Sequence, residues 1–253
     1  MLNKLSGIPL LSASVNVGIV DGTEAQPHSR PYMVSIRGNG LHVCGGFLIS
    51  DEYVMTAAHC NEKFIYLNRN EILTVVAGVH DFSSRSENPV KIQVKSYNKH
   101  PDYNTDKNKP SKADLMILKL EGKVQLQNKM IETIPIPTKP NQINANTRCS
   151  VAGWGYLTNK GPVSKTLMEA DVYIKNNTYC ANQWGIEYIA SQMICVDGKG
   201  GSCDGDSGGP LVCGNTAVGV TAFSSKTCND PNLPNVYIDI SKFDQWIKSI
   251  QNA

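Results

Sequence analysis

The sequence predicts an all-β protein of the sandwich or barrel class, closed by one C-terminal helix. Three observations predict it. Apolar and polar residues alternate from residue 90 to 95, short β-rich runs are separated by Gly, Pro and Asn turns, and one terminal segment changes to a period near 3.6. With 253 residues and 41% hydrophobic composition, the chain can bury a substantial core, as one domain or two small ones.

Taken in order, the first β-rich run is Ile72 to Ala77. In the next, Val90, Ile92 and Val94 alternate with Lys91, Gln93 and Lys95, the pattern of a half-buried strand. Leu115 to Leu120 is a nearly continuous apolar run suited to a buried strand, and Asp114 opens it. Ile131 to Pro140 holds three prolines, which cannot sit in a central strand, so a border falls there. Ala217 to Phe223 and Val236 to Ile240 are further strand candidates. Many short, punctuated strands of this kind make sandwiches and barrels. Phe243, Trp246, Ile247 and Ile250 follow i, i+3, i+4, i+7, so the chain ends in an amphipathic helix packed on the body. Ser241 with Asp244 resembles a capping box at its start. No internal repeat or low-complexity tract interrupts this order.

Composition excludes several function classes. A net charge of +2 gives no basis for nucleic-acid binding, and the lysines between Lys91 and Lys112 read as solvated loop charge. No run of 18 apolar residues exists, so no transmembrane segment is expected. Eight widely spread cysteines predict four disulfides and an oxidising compartment. No Cys-x-x-Cys or His-x-x-x-His pair occurs, which removes the zinc alternative, and there is no EF-hand signature. No cofactor or metal is expected.

The chemistry concentrates in Gly205-Asp206-Ser207-Gly208-Gly209-Pro210 and Thr56-Ala57-Ala58-His59-Cys60. A serine hydroxyl becomes a useful nucleophile when a histidine takes its proton and backbone N–H groups meet the developing oxyanion. Glycines on both sides of Ser207 permit the tight turn that exposes the hydroxyl. Asp114, at the edge of a buried run, needs a partner, and the imidazole N–H of His59 is a natural one. Each piece alone has a plain reading, as a Gly-rich surface turn or a strand-capping carboxylate. Together, in the order His59, Asp114, Ser207, they point to nucleophilic catalysis. The order also separates them from the serine esterases of the α/β-hydrolase type: Gly205 to Gly209 fits the Gly-x-Ser-x-Gly elbow, but that fold runs Ser, acid, His.

With Ile19-Val20-Asp21-Gly22, Cys44-Gly45-Gly46, Gly153-Trp154-Gly155, Cys203 to Pro210 and Pro234-Asn235-Val236-Tyr237, the chain resembles the trypsin/chymotrypsin-like serine proteases from Ile19 to about Ile250. Pro27-His28-Ser29-Arg30-Pro31-Tyr32-Met33 is most similar to the granule-stored members of leukocytes, the granzymes and mast-cell proteases. The resemblance implies two six-stranded antiparallel β-barrels of the chymotrypsin-like fold with a C-terminal α-helix. Barrel 1 would span about 30–130, barrel 2 about 131–240 and the helix 241–251, after a signal or propeptide in 1–18. It implies the disulfides Cys44–Cys60, Cys149–Cys213, Cys180–Cys195 and Cys203–Cys228, the last pointing toward the granzyme branches that keep this bridge.

The resemblance further implies peptide-bond hydrolysis through an acyl-enzyme on Ser207. His59 acts as general base and acid, Asp114 orients His59, and the N–H groups of Gly205 and Ser207 form the oxyanion hole. A neutral His59 is required, so activity should rise through roughly pH 6–7. Asp206 would pair with a new amino terminus at Ile19, made by cleavage of a precursor. The only basic residue upstream is Lys4, so a trypsin-like activator does not suit this bond. Signal removal after Asn16 followed by a dipeptide-removing peptidase acting on Val17-Gly18 does suit it. Lys4 and the apolar stretch Ile8 to Leu11, broken by Pro9, resemble a secretory leader only loosely, without a hydrophobic core of the usual length. Secretion or granule storage follows more firmly from the cysteines.

The primary pocket would be built by Gly201, Ser202, Ala222, Phe223, Ser224 and Asn235. Gly201 stands where trypsin-like members carry an aspartate, so a buried Arg or Lys would lack a counter-ion. Ser224 and Asn235 narrow the slot toward slim neutral side chains such as Met or Leu, and the Asn235 amide leaves open a polar neutral residue. Two departures from the family pattern are Ala222, where a serine usually supports the triad aspartate, and Phe223 in place of tryptophan.

The expected partners are protein or peptide substrates and serine protease inhibitors. Asn176-Asn177-Thr178 is a glycosylation acceptor sequence. His42 reads as a buried, hydrogen-bonded histidine, and His28, His80 and His100 as solvated turn residues. The loop with Asn70 and Glu71 resembles a calcium-binding region of some relatives without matching its ligands. A catalytically weak, protease-fold binding protein is the rival reading. Such proteins usually have lost the serine or the histidine, and both are present here.

Overall fold

The computed structural model describes residues 19–62, 72–104, 112–126, 129–140, 142–156, 162–228 and 230–252. The leader expectation for 1–18 and the Asn70–Glu71 loop lie outside the described residues. No helix of these residues is long and apolar enough to cross a membrane.

Two closed antiparallel barrels make up the body. The first runs β2 (Met33–Gly38), β3 (Leu41–Leu48), β4 (Tyr53–Thr56), β7 (Met116–Leu120), β6 (Val90–Lys99) and β5 (Thr74–Ala77), with β5 closing on β2. The second runs β8 (Arg148–Gly153), β9 (Met168–Ile174), β10 (Met193–Asp197), β13 (Asn235–Asp239), β12 (Thr216–Phe223) and β11 (Pro210–Cys213), and the β11–β8 pairing closes it. A two-residue strand, β1 (Thr23–Glu24), adds to β9. Closure leaves no long unpaired edge.

The local reasons are visible in the residues. In β6, Lys91, Gln93 and Lys95 face solvent while Val94 is buried, so the period-two pattern is the pleat itself. β7 is central, between β4 and β6, and almost wholly buried, which suits its unbroken apolar run. Asn39 and Gly40 both take positive φ and turn β2 into β3, the backbone that a two-residue hairpin requires. The proline-bearing segment after β7 straps both barrels: Ile134 N–H donates to Leu48 O, and Pro135 O accepts from Ala217 N–H. One apolar cluster accordingly runs from Val34, Phe47 and Leu118 to Val220, Ile238 and Phe243, across both halves.

Two α-helices lie wholly within the described residues, α1 (Asn177–Trp184) and α2 (Asp244–Gln251). Phe243 and Ile247 are buried, with Trp246 and Ile250 packed at the rim. The expected capping box is absent. Ser241 sits in a short 3-10 turn, Ile240–Lys242, and donates its hydroxyl to Asp239 Oδ1; Phe243 precedes the helix with no side-chain cap. The Asp239 carboxylate, two residues back, offers Ser241 a partner before the helix begins, so the helix starts at Asp244 rather than 241.

Two histidines read as solvated are not. His80 is 4% exposed, with Nε2 on Glu24 Oε1 at 2.9 Å. The His100 ring packs on Phe243 and Trp246 with centroids 5.0 Å away in each case. Burial lowers the His100 pKa, with Asp102 opposing. Turn composition suggested exposure, but β1 and α2 cover these turns from distant parts of the chain. His28 remains half-exposed.

Candidate active site

His59 follows β4 through Ala57 and Ala58, both fully buried, in a short helical turn. The turn is fixed from both sides. Thr56 donates its hydroxyl to Gly45 O at 2.9 Å, and Cys60 is bonded to Cys44 on β3. Asp114 projects just before β7 because Ala113 has φ 46 and Leu115 N–H returns to Ala113 O at 2.6 Å. Ala113 N–H also donates to Gln192 Oε1, a brace supplied by the second half of the molecule.

The Asp114 carboxylate, 3% exposed, grips His59 twice. The backbone N–H of His59 donates to Oδ1 at 2.9 Å, and Nδ1–H donates to Oδ2 at 2.6 Å. This fixes both the ring orientation and the tautomer, leaving Nε2 as a proton acceptor. Ser207 lies on the loop before β11, contributed by the second barrel, and its carbonyl accepts from Gly45 N–H in the first. His59, Asp114 and Ser207 line one open cavity of about 490 Å³.

The Ser207 loop depends on its glycines. Gly205 and Gly208 have φ of +93 and +82. A Cβ on Gly208 would collide with Thr56 Oγ1, and one on Gly205 would stand 2.8 Å from Gly155 Cα. Gly205 O accepts from the His42 ring at 3.0 Å, and the other His42 nitrogen meets Ser35 Oγ at 2.9 Å, so His42 braces this loop. Asp206 is 1% exposed, and its Oδ1 and Oδ2 accept from the N–H groups of Gly155 and Cys203 at 2.8 and 2.9 Å. Side chains at Gly153 or Gly155 would run into this carboxylate. Ile19 is 0% exposed and its side chain is packed with Val151, Met168 and Val172. Because Gly18 precedes it, Ile19 carries an amide here rather than an amine. Val20, the next residue, bridges to Gly201 through the Gly201 N–H at 3.0 Å, which couples the segment to the pocket region.

Of the expected pocket residues, Ser202, Ala222, Phe223 and Ser224 share the cavity with Ser207. Gly201 and Asn235 do not; they line a separate cavity of about 180 Å³. Sequence reasoning missed two exposed charges on the first cavity, Asp204 and Lys226, and the half-buried Tyr103 near the Asp114 carboxylate. Burial, then Asp114 and Glu62, raise the Tyr103 phenol, so its hydroxyl stays protonated. No sequence pattern marks these residues, because only the folded loops bring them to the site.

The four disulfides are Cys44–Cys60, Cys149–Cys213, Cys180–Cys195 and Cys203–Cys228, and no free cysteine remains. Cys203 and Cys228 both line the cavity wall. Cys44, His59 and Cys60 come close enough to suggest a metal cluster, but the two sulfurs are spent on each other. Asn176 is exposed at the start of α1 and caps it, accepting from Tyr179 N–H at 2.8 Å.

Residues 19–247 match the family described as Trypsin. The chain is 37% identical to granzyme M of Rattus norvegicus over 239 residues, covering 92% of this chain and 88% of that protein. It is 36% identical to granzyme M of Homo sapiens, with 95% and 91% covered. Among solved structures it is similar to neuropsin, a serine protease expressed in the limbic system of mouse brain, with a TM-score of 0.82, 29% identity, and 92% and 100% of the chains covered.

Proposed function

The chain belongs to the trypsin family of serine endopeptidases, and from that premise we propose that it cuts peptide bonds through an acyl-enzyme on Ser207. In this reading His59 Nε2 takes the Ser207 proton as the hydroxyl attacks, and returns it to the leaving amine. Asp114 holds the tautomer and stabilises the imidazolium. The N–H groups of Gly205 and Ser207 stabilise the oxyanion; losing one such donor typically costs roughly 3–4 kcal/mol of barrier. The two-point grip of Asp114 on His59, on a cavity shared with Ser207, carries the reading. A fluorophosphonate should label Ser207 in the active form, and His59→Ala should abolish labelling. Equal labelling of that variant would remove His59 from the mechanism; no labelling of the parent would favour a binding protein on a protease scaffold.

The active form begins at Ile19. Its new ammonium joins the buried Asp206 carboxylate, which in the uncleaved chain is held by backbone amides. Excision of Val17-Gly18 by a dipeptide-removing peptidase would make it. N-terminal sequencing of active protein that starts elsewhere would overturn this. The preferred residue before the cut bond is neutral, Met or Leu, because Gly201 supplies no counter-ion for a basic side chain. Dominant cleavage after Arg or Lys in a peptide library would refute that preference. Secretion or granule storage is supported by the four disulfides. Serine protease inhibitors are the partners such a site would meet.

A further inference from the structure

We propose that Glu62 is a positioning residue for the reaction, a second carboxylate that steadies the His59 imidazolium from the same helical turn. The proposal rests on the reading of His59 as the base for Ser207. Glu62 follows His59 by three residues, and both lie in the short helical turn after β4. Residues so spaced are neighbours on a helix surface. The turn is held in place: Cys60, between them, is bonded to Cys44, and Asn61 N–H returns to Ala58 O at 3.2 Å.

The Glu62 carboxylate is poorly satisfied. The residue is half-buried, and its Oε1 is buried with no hydrogen-bond partner. The chain after β6 brings Tyr103 to it. Burial first, then the charges of Asp114 and Glu62 and a hydrogen bond to Glu62, raise the Tyr103 phenol. The phenol therefore stays protonated, a neutral donor under the influence of two anions. Lys99 Nζ, 5.8 Å from the centroid of the Tyr103 ring, is the cation on that side. From the second barrel, Asp204 and Lys226 line the His59 cavity with one charge of each sign.

An anionic oxygen taken out of water without a donor is costly, and a nearby cation relieves that cost. In the resting state the neighbouring imidazole is neutral, with its Nδ1–H spent on Asp114. When the ring takes the Ser207 proton it becomes a cation, and the Glu62 charge then attracts it. That attraction is stronger in the transition state than in the ground state, which is the condition for lowering a barrier. Asp114 fixes the ring and its tautomer; the Glu62 contribution is charge alone.

The test follows kcat/KM against pH in the Ile19-started parent, Glu62→Gln and Glu62→Asp. Glu62→Gln keeps the shape and removes the charge. Its acid limb should move down by about 0.3–1 pH unit, and its plateau kcat should fall about two- to tenfold. The sign follows from the charge: without the anion the imidazolium is less favoured, so the ring stays neutral to lower pH. Glu62→Asp keeps the charge and should hold the limb within about 0.2 pH unit of the parent. An active Glu62→Gln with the parent's limb would overturn the proposal. An equal limb shift in Glu62→Asp would overturn it too, since packing of the turn would then be the cause. A second measurement needs no change at Glu62 and no turnover. In Ile19-started Ser207→Ala, the carbon-13 resonance of the Glu62 carboxyl should show a step at the pH where the His59 ring titrates. The absence of that step would also overturn the proposal. A parent that hydrolyses no peptide would instead sink the functional reading, and the resonance would still decide whether Glu62 and His59 are coupled.

Discussion

Single residues around Asp206 and Asp114 decide how rigidly the reacting groups are held. Gly153 and Gly155 cradle the Asp206 carboxylate so closely that neither position has room for a methyl group. Gly153→Ala must push that carboxylate away from the Gly155 and Cys203 amides, leaving a buried charge poorly paired. A loss of about 2 kcal/mol or more in stability and at least tenfold in kcat/KM is expected. Gly122→Ala, where nothing lies within 4 Å, serves as the control and should leave both unchanged. Asp114 poses the opposite case. His59 donates two hydrogen bonds to its carboxylate, and Ala222 lines the same cavity. Ala222→Ser should raise kcat, by up to about tenfold, if a further hydrogen bond to the carboxylate steadies the pair. An unchanged kcat with unchanged folding would show that the double grip on His59 already suffices.

At the scale of elements, α2 and the Cys203–Cys228 bridge show how packing serves the site. Ile247 is 2% exposed under α2, and Ile247→Ala should cost about 2–5 kcal/mol in urea unfolding, because the barrel cannot collapse into the gap. The same helix covers His100 through Phe243 and Trp246, and Asp102 Oδ2 lies 4.0 Å from the ring. Burial lowers the His100 pKa below its ordinary 6.5 despite Asp102. The unfolded chain then binds the extra proton first, so this group's contribution is present above about pH 6.5 and is lost as pH falls through the lower folded value. His100→Phe, which keeps a ring against α2, should reduce the loss of stability between pH 7.5 and pH 5; an identical pH slope would exclude His100 as its source. Opening Cys203–Cys228, whose cysteines are 25 residues apart, should cost about 3 kcal/mol by loop entropy and loosen the cavity wall.

Across the whole molecule, what was legible in the sequence was what short-range periodicity and motif order record. The alternation at Val90 to Lys95, the buried run after Asp114 and the stripe through Phe243 and Ile247 each state an element's face directly. The order His59, Asp114, Ser207 foretold a shared cavity. Burial of His80 and His100 was not legible, because Glu24 and α2 reach them from far along the chain. Nor was the placement of Asn235, with Gly201, in a cavity separate from that of Ser207, where the stretches 196–201 and 228–235 meet. The same long-range coupling bears on the proposed activation. Val20 is bridged to Gly201, while Ile19 is packed inside the second barrel, so the start of this segment and the pocket region share one hydrogen-bonded unit. In the proposed activation, cleavage before Ile19 would convert an amide into an ammonium beside a packed apolar side chain, with the buried Asp206 carboxylate as its partner. Asp206→Asn keeps an acceptor for a backbone amide but removes the charge that would hold the ammonium. In the cleaved form it should therefore lower kcat/KM by at least about a hundredfold, while the uncleaved form, measured by urea unfolding, loses far less stability than the cleaved one. Equal losses in the two forms would mean that Asp206 acts only on the Gly155 and Cys203 amides and that the new terminus is held by something else.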